Sequence, residues 1–545
     1  MILPRVKNLE ESSGWFCKTL IFPKSEDGEK AAGLLKVFSP GLKAECGSDP
    51  NVSFKKADME RKGEYTLSVT EEGICIEYHE YEGLRNALAT LSGLEKEGKI
   101  GCAKISDYPD QAFRSCLLDM ARGYVEIDVL KEHLVRLAKL KFNFVHLHLM
   151  DRLSYILESD IVPNPDNHRL YTKKEMRDVV EFCNLLGLDA IPEIEFPAHA
   201  GNLLKALPEL GCDIIDMDKA VQYVEGIENY EKSTFIDQER KVSRWTVCVG
   251  KESTYEIYEK IIDELLEIFD SEYIHIGGDE IMFPRLGALP HWDNCHACQK
   301  LAEKYDSNIL AMYHHGIRRI HEIVKSKGKK TIKWNESREC NHDVDLPGDI
   351  ILEYWLSSES KKSQQNIDRF LDLGYTLINA EHTYTYVDLH VYMNAEKINA
   401  WKPALNEKQE KGICGGEMCA WELGNKAYSY YNYTLPICMV LFSDRVWNSD
   451  GGVEYDDEYK KSIFTTLLGE NALKVSPLSI FKDLIPPRKR IVTEEIDLAA
   501  IDPEKILEIQ AGLDAVNPDL CYGKLALKNF QNYLNDLYGE RIKLS

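Results

Sequence analysis

Between about residues 111 and 450 the chain alternates short apolar runs with amphipathic ones, and this rhythm restricts the fold more than any other feature. Apolar runs of strand length begin near Ser115, Phe144, Ala190, Tyr273, Thr331, Ile350, Thr376 and Gly416. Helical periodicity fills several of the intervals, over 129–140, 174–186, 255–269 and 309–325. Strands separated by helices pack in parallel, and eight such units predict a closed (β/α)8 TIM barrel with long loop insertions. An open doubly wound sheet is the competing arrangement, but no Gly-x-Gly-x-x-Gly follows the first strand.

The flanks read differently. Residues 1–110 predict a small α/β domain. There, Glu64-Tyr-Thr-Leu-Ser-Val-Thr and Gly73-Ile-Cys-Ile-Glu-Tyr alternate apolar and polar across a turn, as a hairpin does. Leu84, Leu88, Leu91 and Leu94 then recur at helical spacing. Residues 451–545, with the Pro486-Pro487 break and the basic run Arg488-Lys-Arg, predict a helical C-terminal extension.

Charge narrows the partners. A formal net charge of −24 argues against nucleic acid and anionic membrane, because phosphate contacts need clustered Lys and Arg. No run of 18 apolar residues occurs, so no helical span is expected. The N-terminal Met1-Ile-Leu-Pro-Arg lacks a secretory signal, and fifteen scattered cysteines read as reduced thiols, so a cytoplasmic location is expected. The sequence is compatible with a homo-oligomer. One Cys-x-x-Cys, Cys295 to Cys298, lies near His291 and His296 and could supply zinc ligands. No second such pair follows at a zinc-ribbon distance, and i, i+3 thiols on a helix simply share a face. No metal site and no cofactor are therefore expected.

In a (β/α)8 barrel the active site lies where the strands end. The first strand presents Leu118-Asp119-Met-Ala-Arg122, the second His146-Leu-His148-Leu-Met-Asp151, and the third Pro192-Glu193-Ile-Glu195-Phe-Pro-Ala-His199. The fourth presents His275-Ile-Gly-Gly-Asp279-Glu280, the fifth Trp334-Asn-Glu336, the sixth Glu353-Tyr-Trp355 and the eighth Glu417-Met-Cys-Ala-Trp421-Glu422. A lone Asp there is ordinarily a helix cap and a lone Trp ordinarily core. Acids with tryptophans at one rim suit carbohydrate: carboxyls bind hydroxyls and protonate a glycosidic oxygen, and an indole face packs on a sugar ring. Gly277 and Gly278 allow close approach, and two successive carboxylates repel when desolvated, so one is held protonated as a general acid requires. Spacing alone leaves open a plain turn whose two acids cap a helix.

Four motifs, in order, resolve this. His275-Ile-Gly-Gly-Asp279-Glu280 resembles the signature of glycoside hydrolase family 20, the β-N-acetylhexosaminidases. Arg114-Ser-Cys-Leu-Leu-Asp119-Met-Ala-Arg122 is similar to the family's Arg-Gly-x-x-Leu-Asp-x-Ser-Arg. Asn143-Phe-Val-His146-Leu-His148-Leu-Met-Asp151 and Ile191-Pro-Glu-Ile-Glu195-Phe-Pro-Ala-His199 resemble its Asn-x-x-His-x-His-Leu-x-Asp and Ile-Pro-Glu-Ile-Asp-x-Pro-Gly-His.

The resemblance implies removal of terminal β-linked N-acetylhexosamine from an oligosaccharide or glycoside, with the substrate's acetamido oxygen as nucleophile. It implies Glu280 as acid and base, Asp279 on the acetamido N–H, and Tyr386 on the acetamido oxygen. Asp151 and His199 match a pair that tunes the acid. Arg114 and Asp388 match hydroxyl ligands, Glu422 stands one residue before the position of another, and Trp334, Trp355 and Trp421 match pocket walls. The chain departs from the family at Arg152, Glu195, Ala198 and Leu423, the last standing where a hydroxyl-binding Glu is usual. Two other readings compete. One is an amidohydrolase-like metal site built from His146, His148, His199, His275 and Asp279; the other is a barrel that only binds sugar.

Overall fold

In the computed structural model eight parallel strands close into a barrel: β1 (Phe113–Asp119), β2 (Phe144–His148), β3 (Asp189–Glu193), β4 (Tyr273–His275), β5 (Lys330–Trp334), β6 (Ile351–Tyr354), β7 (Leu377–Asn379) and β8 (Ile413–Ala420). The structure describes residues 2–224, 235–281, 291–356, 361–387, 395–421, 423, 435–456, 459, 462–463, 491–493 and 542–544. The strands expected from the apolar rhythm are all present. Both faces of these strands are covered, as in β1, where every residue is buried, Arg114, Ser115 and Asp119 included. β8 begins earlier than its sequence suggests because its glycines lie inside the strand. A Cβ at Gly415 would stand 1.8 Å from the Phe113 carbonyl oxygen, so this close β1–β8 pairing needs glycine.

Side chains fill the barrel in layers. At the N-terminal end Phe113, Phe144, Ile191, Ile332 and Ile378 form an apolar plug. At the other end Leu117, Trp334, Ala380, Tyr386 and Cys419 form a second cluster, with Trp355 and Trp421 against it. Between them lie ionisable groups: His146, Glu193, His275, Glu353 and Glu417, all buried. A polar middle layer survives only where every group finds a partner.

The predicted hairpin pairs Tyr65–Val69 with Ile74–Tyr78, Val69 opposite Ile74. It joins Asn8–Phe16, Lys99–Asp107 and Val52–Lys56 in one sheet, and helix Tyr81–Gly93 packs on it. This unit abuts the N-terminal end of the barrel. Arg85 donates to the Ala138 carbonyl at 2.9 Å, and the buried Lys141 ammonium meets Asp107 at 2.7 Å. Most of the expected helical extension lies outside the described residues. Within it, Ile491–Thr493 pairs antiparallel with Ile542–Leu544, a strand pairing the helical reading did not include. Among the described residues no helix is long and apolar enough to cross a membrane.

Candidate active site

β4 ends in a turn that only glycine can make. Gly277 and Gly278 have φ of +65° and +108°, and a Cβ on Gly277 would stand 2.0 Å from Glu195 Oε2. Glu280 itself is left-handed at φ +48°, as is His199 at φ +54°. Such backbone costs on the order of 1–3 kcal/mol per residue and persists where the surroundings hold it. They do. Tyr313 Oη donates to the Gly278 carbonyl at 2.6 Å, and Trp245 Nε1 to the Glu280 carbonyl at 3.1 Å. The Ile281 N–H donates to Glu336 Oε2 at 3.2 Å. The strain aims both carboxylates of Asp279-Glu280 into the rim.

A relay of charges backs the pair. His199 Nε2 lies 3.3 Å from Glu280 Oε2 and 3.7 Å from Asp279 Oδ2, and its Nδ1 is 3.1 Å from Asp151 Oδ2. Arg122 Nη2 meets the same Asp151 oxygen at 2.8 Å. Burial works against charge on the His199 imidazole, but Asp279, Asp151 and Glu195 outweigh it and hold the ring protonated well above its ordinary range. Burial opposes ionisation of Asp151 too; Arg122 and His199 overcome it and keep the carboxyl well below its usual value. Asp279 goes the other way. Burial, and the Glu280 charge beside it, push its pKa up to about 6 despite His199. Asp279 Oδ1 is shielded from solvent and has no hydrogen-bond partner among the described residues.

Indoles wall the pocket. Trp334, 1% exposed, donates Nε1 to Glu193 Oε1 at 2.7 Å, which fixes its ring. Trp421 packs on it at 6.0 Å between ring centroids, and on Tyr386 at 5.8 Å. Trp355 donates Nε1 to the Asn335 carbonyl at 2.8 Å. Tyr386 bridges to Cys419 of β8, so the tyrosine comes from the β7 side of the same rim.

Beneath the floor, Glu193 is the hub. His275 Nδ1 reaches its Oε1 at 2.9 Å, while His146 Nε2, at 3.2 Å, and His148 Nδ1 share its Oε2. His146 Nδ1 also bonds Glu417 at 2.8 Å. Burial disfavours charge on His146, but Glu417 and Glu193 raise its pKa to about 9, whereas burial dominates at His275 and lowers it to about 4. The amidohydrolase-like reading fails here, because its five residues fall into separate groups: His146 and His275 with Glu193, His148 with Asp151 and Glu195, and His199 with Asp279 and Glu280.

The structure thus brings Glu280, Asp279, His199, Asp151, Tyr386, Trp334, Trp355 and Trp421 together, and corrects one assignment. Arg114 does not reach the pocket. It is the second residue of β1, at the N-terminal end, and alternates outward between the inward Phe113 and Ser115. Its guanidinium pairs with Glu82 and donates to the carbonyls of Lys141 at 2.9 Å and Gln111 at 2.8 Å. The arginine at the rim is Arg122, whose guanidinium lies 5.0 Å from the Trp421 ring centroid. Asp388 and Glu422 lie outside the described residues. Leu423 is fully buried and presents no polar group. Sequence reasoning missed Trp245 and Glu336 as supports of the acid's backbone. Trp245 lies in an insertion with no motif, whereas Glu336 was visible at a strand end without a role.

A closed parallel barrel whose C-terminal rim gathers paired acids, a charged histidine and a box of indoles belongs to the barrel glycosidases. The profile described as "Glycosyl hydrolase family 20, catalytic domain" matches residues 111–449, and the chain belongs to that family. It is 27% identical over 426 residues to a beta-hexosaminidase of Vibrio furnissii, covering 71% of this chain and 64% of that one. It is 27% identical over 349 residues to a beta-hexosaminidase of Akkermansia muciniphila, covering 59% and 64%. The match thus spans just under two thirds of either relative. The solved exo beta-N-acetylglucosaminidase of Vibrio harveyi, in complex with N-acetylglucosamine, superposes with a TM-score of 0.70 at 21% identity, covering 87% of this chain and 78% of that one.

Proposed function

We propose that the protein hydrolyses terminal β-linked N-acetylhexosamine from oligosaccharides or glycosides, with retention, through a cyclic oxazolinium intermediate. One observation carries this: Asp279 Oδ1 is a shielded, partnerless acceptor on the residue next to Glu280. A sugar's acetamido N–H supplies the donor it lacks, and that contact orients the acetamido carbonyl toward C1. Glu280 then donates its proton to the glycosidic oxygen as the C1–O bond breaks, and the acetamido oxygen bonds C1. The Glu280 carboxylate next takes a proton from water, whose oxygen attacks C1 and reopens the ring.

Asp279, ionised above a pKa of about 6, stabilises the positive charge on the intermediate. His199, held protonated and anchored by Asp151, places a positive charge beside both acids. Tyr386, Trp334, Trp355 and Trp421 enclose the ring; Asp388 and Glu422 are proposed hydroxyl ligands. The names of the relatives support this substrate class. We also propose a cytoplasmic location.

The test is hydrolysis of 4-nitrophenyl N-acetyl-β-glucosaminide and its galacto epimer, with inhibition by the thiazoline analogue of the intermediate. Turnover of at least one epimer is expected, with the thiazoline binding far more tightly than free N-acetylglucosamine, as intermediate mimics do. Turnover without tight thiazoline binding contradicts acetamido participation. No turnover of either epimer contradicts the activity.

A further inference from the structure

Four of the cysteines, scattered in sequence, meet in space. Cys212 lies in strand Gly211–Asp213, and Cys248 directly follows strand Val242–Val247. Cys295 caps helix His296–Ala302, and Cys298 lies in its first turn. All four are buried, and their sulfurs lie within 4.8 Å of one another. The Cys212–Cys298 and Cys248–Cys295 separations are each 3.7 Å, and Cys248–Cys298 is 3.3 Å. Four sulfurs bound tetrahedrally at about 2.3 Å from a zinc ion stand about 3.8 Å apart. A disulfide would need about 2.0 Å.

We propose that Cys212, Cys248, Cys295 and Cys298 bind one structural Zn2+ as a tetrathiolate site, separate from the sugar pocket. Structural zinc sites use four protein ligands and are closed to water, and this cluster meets both conditions. The local chain is built to bring the thiols together. A Cβ at Gly250 would stand 2.5 Å from the Ala297 carbonyl oxygen and 2.8 Å from the Cys298 nitrogen, so glycine lets the Cys248 turn lie against the Cys295–Cys298 segment. Lys251 Nζ donates to the Gly211 carbonyl at 2.8 Å and pairs with Asp213 at 3.0 Å, tying the turn after Cys248 to the strand that carries Cys212.

Binding releases the thiol protons to solvent and leaves four thiolates around one dication, a net charge of −2. The Lys251 ammonium, which senses Cys248 and Cys295 electrostatically, offsets part of it. From sequence alone Cys295 and Cys298 read as two thiols sharing a helix face and no metal site was expected, whereas in the fold they form half of this cluster. The other half comes from two single cysteines with no motif.

The position links the metal to catalysis. Trp245 sits three residues before Cys248, packs on His199 at 4.8 Å between ring centroids, and donates to the Glu280 carbonyl. The zinc ion therefore clamps the insertion that seats the acid and its histidine.

The test is metal analysis of the full-length protein purified under reducing conditions from zinc-supplemented cells without chelator. Close to one zinc per chain is expected, with X-ray absorption showing four sulfur neighbours at about 2.3 Å. The double variant Cys295→Ser/Cys298→Ser is expected to lose the metal, and Cys183→Ser, a buried thiol elsewhere, to keep it. If the double variant does not fold, absorption on the unaltered protein decides. Metal-free protein, a disulfide between any two of the four, or bound iron instead of zinc overturns the proposal. So does a zinc shell with oxygen or nitrogen in place of sulfur.

Discussion

Replacing Arg114 by Met separates a structural arginine from a substrate-binding one. The side chain is 1% exposed, and its guanidinium engages the Glu82 carboxylate and the carbonyls of Lys141, Gln111 and Ala112. Truncation strands a carboxylate that is 8% exposed. Breaking a buried ion pair from one side costs about 3–5 kcal/mol, because the remaining charge is left unpaired. Here Asn143 still donates to Glu82 at 3.5 Å and the Arg85 charge remains near it, so the expected loss lies at the lower end, about 3 kcal/mol. The double variant Arg114→Met/Glu82→Gln should recover much of this, since no charge is then stranded.

The pH dependence adds a signature. Burial opposes ionisation of Glu82, but Arg114 and Arg85 hold its pKa below the ordinary value of 4.5. A depressed carboxyl contributes stability above its unfolded pKa and loses it as pH falls through the folded one, so wild type and variant converge in acid. Urea unfolding followed by tryptophan fluorescence reads the stability, and initial rates on a chromogenic N-acetylhexosaminide read KM. The expected result is the full stability loss with KM changed less than about twofold. A tenfold rise in KM at unchanged stability, the cost of about one charged hydrogen bond to substrate, would refute the placement of Arg114.

Three further outcomes follow from the same geometry. Asp279 has its pKa raised from 3.8 to about 6, so its contribution to stability is full below about pH 4 and lost as pH rises through about 6. Asp279→Asn should remove about 2 kcal/mol of that decline between about pH 4.5 and pH 7.5, read from urea midpoints at the two; an unchanged slope contradicts it. Trp245→Phe keeps the ring but loses the N–H that holds the Glu280 carbonyl, so kcat should fall roughly fivefold, about 1 kcal/mol, with KM steady. A change confined to KM would place Trp245 on the substrate instead. His199→Ala removes the charge between Glu280 and Asp151, and kcat should fall at least tenfold with an altered pH profile; an unaltered profile contradicts a role in tuning the acid.

The barrel was legible because short strand-length segments alternate with amphipathic helices, and β2, buried throughout, and β3 and β5, buried beyond their first residue, keep that rhythm. The catalytic rim was legible because its residues sit at strand ends in motifs with fixed spacing. Arg114 was misread for a related reason. A motif records spacing but not which face of the strand a side chain takes, and at the N-terminal end of β1 it faces helix Tyr81–Gly93. Trp245, Cys212 and Cys248 carry no local signal. Each acts through contacts made across an insertion, and such contacts form only when the loops fold together. Glu195 was visible as a longer acid in its motif, but its role was not: burial and the Asp279 charge push its carboxyl well above the ordinary range, and its bulk at Gly277 shapes the acid's turn.

Glu280→Gln, measured on two leaving groups, tests whether Glu280 moves the proton. Glutamine keeps the shape and removes the acid. On an unactivated N-acetyl-β-glucosaminide, such as a disaccharide, turnover should fall by about 10²–10⁴-fold, the range general acid catalysis supplies. On an aryl glycoside whose leaving group needs no proton, the loss in bond cleavage should be far smaller. Near-full activity of Glu280→Gln on the disaccharide, or equal losses on both substrates, would contradict the assignment.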